Sequence, residues 1–121
     1  MQFRKLRDLK VSAVGYDCMG LSHVYGSLPE KDSIDLIRYS FDQGCSFFDS
    51  AEVYGNGYNE ILLGKAVKDI RKDVVIATKF YIKKDETLIS REALLQRIKK
   101  HLEKYRAGSG TITLGRSSIQ K

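Results

Sequence analysis

A chain of 121 residues can form one domain with its own core, and 42% hydrophobic against 30% charged residues with a single proline reads as folded rather than disordered. Its two cysteines, Cys18 and Cys45, are too few and too far apart for a CxxC metal or redox signature, so free thiols in a reducing cytoplasm are expected. The net charge of +6 arises from basic clusters near the start and in Arg91 to Arg106, but acidic residues are mixed in and no aromatics interleave, which favours solvated helix faces over a nucleic-acid partner.

The opening "MQFRKLRDLK" alternates charge with apolar groups and has no apolar stretch of the kind a signal peptide needs. No run approaches the roughly 20 apolar residues of a membrane span. A cytoplasmic protein without a membrane partner is expected.

Leu9 to Val14, with "GYDCMGL" behind it, reads as a strand leading into a loop. From Glu30 to Gln43 the apolar Ile34, Ile37 and Phe41 recur on one helical face, and Gly44 sits where a helix commonly stops in a left-handed conformation. "CSFFD" follows as a short buried strand. The next helix is placed near Asn59 as its N-cap, with Ile61, Leu62, Ala66 and Ile70 toward the core. "DVVIATKF" (Asp73 to Phe80) is the clearest strand because β-branched residues dominate it. Ser90 caps a third helix with Leu94, Ile98, Leu102 and Tyr105 on one face, and Thr111 to Leu114 can form a last strand.

Strands alternating with helices mean a parallel sheet with crossover helices, either doubly wound or a (β/α)8 barrel. "GYDCMG" holds no GxGxxG, so the dinucleotide fingerprint of the doubly wound class is absent. In parallel α/β sheets, functional groups collect where strands end. Asp49 closes the second strand, Lys79 lies at the end of the third, and Tyr54 lies in the loop after Asp49. Neighbouring strands about 4.8 Å apart would let all three meet at one rim. A nearby ammonium lowers a phenol's pKa and a carboxylate holds the ammonium charged, which suits a phenol to protonating an oxygen that turns negative. Taken singly, each residue also has a structural reading: a loop carboxylate, a packing tyrosine, a rim charge.

Three stretches, "VSAVGYDCMGLSHVYG", "GCSFFDSAEVYGNGYNEILLGKAV" and "VVIATKF", resemble the first third of aldo-keto reductases over about residues 6 to 100. The pairing of D-S-A-x-x-Y-G with N-E-x-x-L-G-x-A at this spacing is the strongest part of the likeness. The resemblance implies a partial TIM (β/α)8 barrel of three or four β/α units and an oxidoreductase that reduces a small aldehyde or ketone with NADP. It implies Asp49, Tyr54 as proton donor and Lys79 as catalytic residues, and Cys18, Met19 and Asp49 as positions near the cofactor. No metal is implied.

The likeness is incomplete. Asp17 stands where the family pattern usually has glycine, either beside the cofactor pocket or facing solvent. The family's catalytic histidine has no counterpart: the nearest aligned position is Ser118, His23 falls in the first loop, and His101 falls on the polar side of its helix as a surface residue. A barrel needs roughly 250 residues and eight strands, and the groups that clamp the adenosine phosphate belong to the last strands in the family. Residues 1–121 therefore read as one truncated domain whose end, 107–121, is divergent and flexible, through a frameshift or a natural change. The apolar inner positions Val14, Phe47, Val75 and Ala77 and an open strand edge favour self-association. Two functional outcomes stay open: an NADP-dependent reductase, or an inactive fragment or pseudoenzyme acting as a self-associating or partner-binding half-barrel.

Overall fold

The computed structural model describes residues 1–22, 28–81, 90–103 and 111–117. It opens with an antiparallel hairpin, β1 (Phe3–Leu6) against β2 (Leu9–Ser12), whose turn places Arg7 at φ 53°. A parallel sheet follows in the order β3 (Tyr16–Asp17), β4 (Phe47–Asp49), β5 (Val75–Tyr81), β6 (Thr111–Ser117). Helix α1 (Glu30–Asp42) joins β3 to β4, α2 (Tyr58–Val67) joins β4 to β5, and α3 (Arg91–Leu102) lies between β5 and β6.

The first sheet strand differs from the sequence expectation. Leu9–Ser12 pairs with the chain start rather than with the parallel sheet, and the sheet begins only at Tyr16, in register with Phe48. Val14 consequently sits in the connecting bend at 61% exposure, not on an inner face. Gly15 fits closely there: a Cβ would stand 3.0 Å from the Phe47 ring. The last strand runs to Ser117 rather than ending at Leu114, and every residue of it pairs with β5.

Strand alternation sorts the sheet into two faces. Phe48, Ile76 and Thr78 point to one side and have no exposed surface. Phe48 and Ile76 pack there with Ile37 of α1 and Leu62, Leu63, Ala66 and Val67 of α2. Phe47, Asp49, Val75, Ala77 and Lys79 point to the other side and are half-buried. The helices therefore cover one face, and the rim residues belong to the opposite, inner one.

The helices form largely as their periodicity predicts. Ile37 of α1 is fully buried, Ile34 and Phe41 pack against the core, and Gly44 takes φ +94° just past the helix end. Helix α2 departs in two ways. Gly57, at φ 89°, is its N-cap, and Asn59 lies inside the helix with its side chain buried. Ile61 is 44% exposed, and Leu63 and Val67 take the core positions. Consecutive apolar residues in "ILL" leave the phase of the stripe ambiguous in sequence, and packing against the core selects Leu62, Leu63, Ala66 and Val67. In α3, Ser90 caps as expected, accepting from the Ala93 amide at 3.2 Å. Ile98 is half-buried, Tyr105 lies outside the described residues, and so do the side chains of Leu94 and Leu102.

Candidate active site at the strand ends

Asp49 reaches the rim because β4 is short and ends on it. Beyond Asp49 the chain keeps hold of β5: the Ser50 amide donates to the Ala77 carbonyl at 2.8 Å, and the Glu52 amide to the Lys79 carbonyl at 3.0 Å. A turn over Tyr54–Gly57, with Gly55, Asn56 and Gly57 all at positive φ, then brings Tyr54 back over the strand ends. Two glycines carry most of that conformation at little steric cost. The sequence segment "YGNG" is thus the device that aims the tyrosine.

Lys79 and Asp49 form an ion pair across neighbouring strands, with side chains 28% and 39% exposed. The Lys79 ammonium sits 5.0 Å from the centroid of the Tyr54 ring. Burial acts to lower the Lys79 pKa, but hydrogen bonding and charge from Asp49, then from Tyr54, outweigh it and hold the lysine above its ordinary value. The structure thus brings Asp49, Tyr54 and Lys79 together at one rim.

The first loop approaches the same rim. Asp17 pairs in register with Asp49 and caps the following turn, Cys18–Leu21, by accepting from the Met19 amide at 2.9 Å. That bond gives Asp17 a local structural use at the position where the sequence pattern expects glycine. Met19 is half-buried. Cys18 has no exposed surface: burial, then the charges of Asp17 and Asp49, push its thiol up, opposed only by Lys79. Such a thiol is an inert core group, and its sulfur is not presented at the surface.

Two buried polar side chains beneath the rim escape the sequence reading. Asn59 donates through Nδ2 to the Cys18 carbonyl at 2.6 Å and the Ser22 hydroxyl at 2.8 Å, and accepts from the Ser50 hydroxyl at 2.6 Å. Glu60 accepts from the Thr78 hydroxyl at 2.6 Å, and His101 Nε2 lies 3.0 Å from the same oxygen. His101 is therefore buried at 5% exposure, contrary to its expected place on a polar helix face. Helical phase alone could not show that a carboxylate from α2 faces it. The N-E pair of the motif was the available signal, since an asparagine and a glutamate side by side before an apolar run mark either a cap or a buried polar pair. His23 and Ser118 lie outside the described residues.

Among the described residues no group of three or more His, Cys, Asp or Glu is arranged to hold a metal ion, and no helix is long and apolar enough to cross a membrane.

Comparison with known proteins identifies the family and the fold. The sequence profile described as the aldo/keto reductase family matches residues 14–108. A Glycine max protein named "Probable aldo-keto reductase 1" is 49% identical over 78 residues, which cover 63% of this chain and 22% of that protein. A Schizosaccharomyces pombe aldo-keto reductase whose name specifies NADP(+) is 40% identical over 87 residues, covering 69% and 26%. The solved holo form of an aldo-keto reductase from Bacillus halodurans superposes with a TM-score of 0.75 at 25% identity, over 98% of this chain and 41% of that one. The fold is a partial (β/α)8 barrel, and the chain spans about a quarter of the length of the curated relatives it matches.

Proposed function

The chain belongs to the aldo/keto reductase family of oxidoreductases, and from that premise we propose that Asp49, Tyr54 and Lys79 form the proton-donating side of a site that reduces a small aldehyde or ketone with NADP(H). The observation that carries this reading is the Asp49–Lys79 ion pair with the Tyr54 ring over its ammonium. NADP(H), when bound, supplies the hydride to the carbonyl carbon.

The residues on the rim suit the nicotinamide end of such a cofactor. Asp49 keeps part of its carboxylate open to accept from an amide or hydroxyl, and Met19 offers a polarizable thioether beside it. Of the expected cofactor positions Cys18 would contribute only backbone. As the carbonyl oxygen turns negative, the Tyr54 O–H bond breaks and the proton passes to that oxygen, giving the alcohol. The phenolate left behind is stabilised by the adjacent ammonium and regains a proton from solvent. Asp49 keeps the ammonium charged and in place. The reverse oxidation uses the same groups in the opposite order.

The test is a fluorescence titration of the chain with NADPH followed by turnover of a reactive aldehyde. Binding together with turnover that Tyr54→Phe abolishes, while cofactor affinity is kept, is the expected result. Turnover that survives Tyr54→Phe, or no binding at millimolar cofactor, would remove the reading.

A second reading has its own support. The inner residues Phe47, Val75 and Ala77 are only half-buried, and Leu6, Leu9 and Phe47 line an open apolar groove between the hairpin and the sheet. These surfaces favour a catalytically silent half-barrel that covers its inner face with a second copy. Size-exclusion chromatography with light scattering tests it: a monomer at micromolar concentration contradicts self-association.

A further inference from the structure

We propose that Asn59 and Glu60, adjacent at the start of α2, are positioning residues that set the register of the rim. The inference rests on the reading of Asp49, Tyr54 and Lys79 as the site. Three of the bonds these two residues make land one position away from a rim residue, while Asn59 also donates to Ser22. Asn59 holds the carbonyl of Cys18, next to Met19, and the hydroxyl of Ser50, next to Asp49. Glu60 holds the hydroxyl of Thr78, next to Lys79.

At Thr78, inside β5, the one-residue offset follows from the pleat. Successive side chains point to opposite faces, so a residue anchored on the helix-covered face leaves its neighbour aimed at the inner rim. Thr78 outward means Lys79 inward. Buried polar groups enforce that arrangement, because each is costly unless paired. A one-residue slip of β5 would turn Lys79 into the helix layer and strip Glu60 of the Thr78 hydroxyl, so the polar pairing opposes a slip alongside the apolar packing.

Both anchors sit on the first turn of one helix, with no exposed surface. The two loops that Asn59 links and the strand that Glu60 grips are therefore referred to a single rigid element. His101, at 3.0 Å from the Glu60 carboxylate, extends the same reference to α3. A site assembled from three different strand ends needs such a common datum if its members are to stay within contact distance.

The experiment reads geometry rather than activity, on the intact chain without cofactor. The Tyr54 ring lies over the Lys79 ammonium, so the Lys79 ε-protons carry an upfield ring-current displacement in NMR that Tyr54→Leu removes. In Thr78→Val, which keeps the shape and deletes the hydroxyl, more than half of that displacement is expected to vanish; Thr78→Ser restores it. A residue that merely stabilised the fold would lower the unfolding midpoint and leave the displacement of the folded state intact. That result in Thr78→Val overturns the proposal. A measurement on the unmodified chain stands beside it and needs no variant to fold. The Thr78 hydroxyl proton, donated to a buried carboxylate, is expected as a discrete, slowly exchanging resonance, and rapid exchange with water overturns the assignment. Failure of NADPH binding would remove the reductase reading and leave both measurements valid.

Discussion

The two faces of the parallel sheet carry different loads. On the helix-covered face Phe48, Ile76 and Thr78 are completely buried, and their neighbours come from α1 and α2. On the inner face Phe47, Val75 and Ala77 are half-buried, and the same strands end there in Asp49 and Lys79. Residues adjacent in sequence thus serve opposite purposes: one face holds the chain together, and the other presents charge at a rim. The difference teaches that in such a unit the packed core and the charged rim are separated by a single step along the strand.

The sharpest break of that contrast is at Phe48. Phe48→Ala empties a fully buried site and should cost about 3–5 kcal/mol by urea denaturation, whereas Phe47→Ala, one residue away, should cost less than half as much. Equal losses would mean that the inner face is also core.

Asn59→Ala comes next, with about 2–3 kcal/mol expected in the same assay because the Ser50, Cys18 and Ser22 groups lose a buried partner. Native-state hydrogen exchange should show the loss concentrated at residues 18–22 and 50–54. Gly44→Ala tests the end of α1: at φ +94°, with a new Cβ only 2.8 Å from the Met1 Cβ, it should cost about 1–2 kcal/mol.

The smallest effect is the rim's own contribution to stability, and its sign follows from Lys79. The folded lysine is held above its ordinary value of 10.5, so the folded state binds the proton more tightly than the unfolded chain. Its stabilisation is fully present below pH 10.5 and is lost as pH rises through the folded value. The difference in unfolding free energy between the unmodified chain and Lys79→Met should be flat from neutral pH up to that value and shrink above it. A difference that grows with pH would contradict the ion pair as described.

The parts of this fold that were legible in the sequence are those set by local chemistry. Ile34, Ile37 and Phe41 name the buried face of α1, Gly44 its stop, Ser90 the cap of α3, and "DVVIATKF" its strand, each within a few residues of itself. The juxtaposition of Asp49 with Lys79 was legible from strand-end placement and a known sheet spacing. What escaped depends on partners far along the chain. Leu9–Ser12 looks like a sheet strand until Phe3–Leu6 is seen folded onto it, and the charged, exposed first strand gives no apolar signal. Asn59 carries the composition of a cap, yet its partners lie at positions 18, 22 and 50. His101 is polar by helical phase, yet it is buried and meets Glu60 of another helix. Tertiary pairing of polar groups leaves little trace in periodicity.

The separation of the two faces is tested most directly by setting Asp49→Asn beside Phe48→Ala, with urea unfolding and NADPH-dependent aldehyde reduction measured on both. Asp49→Asn should abolish turnover while shifting the unfolding midpoint far less than Phe48→Ala does. An Asp49→Asn chain that unfolds as readily as Phe48→Ala, or that reduces aldehyde at the unmodified rate, would contradict the account.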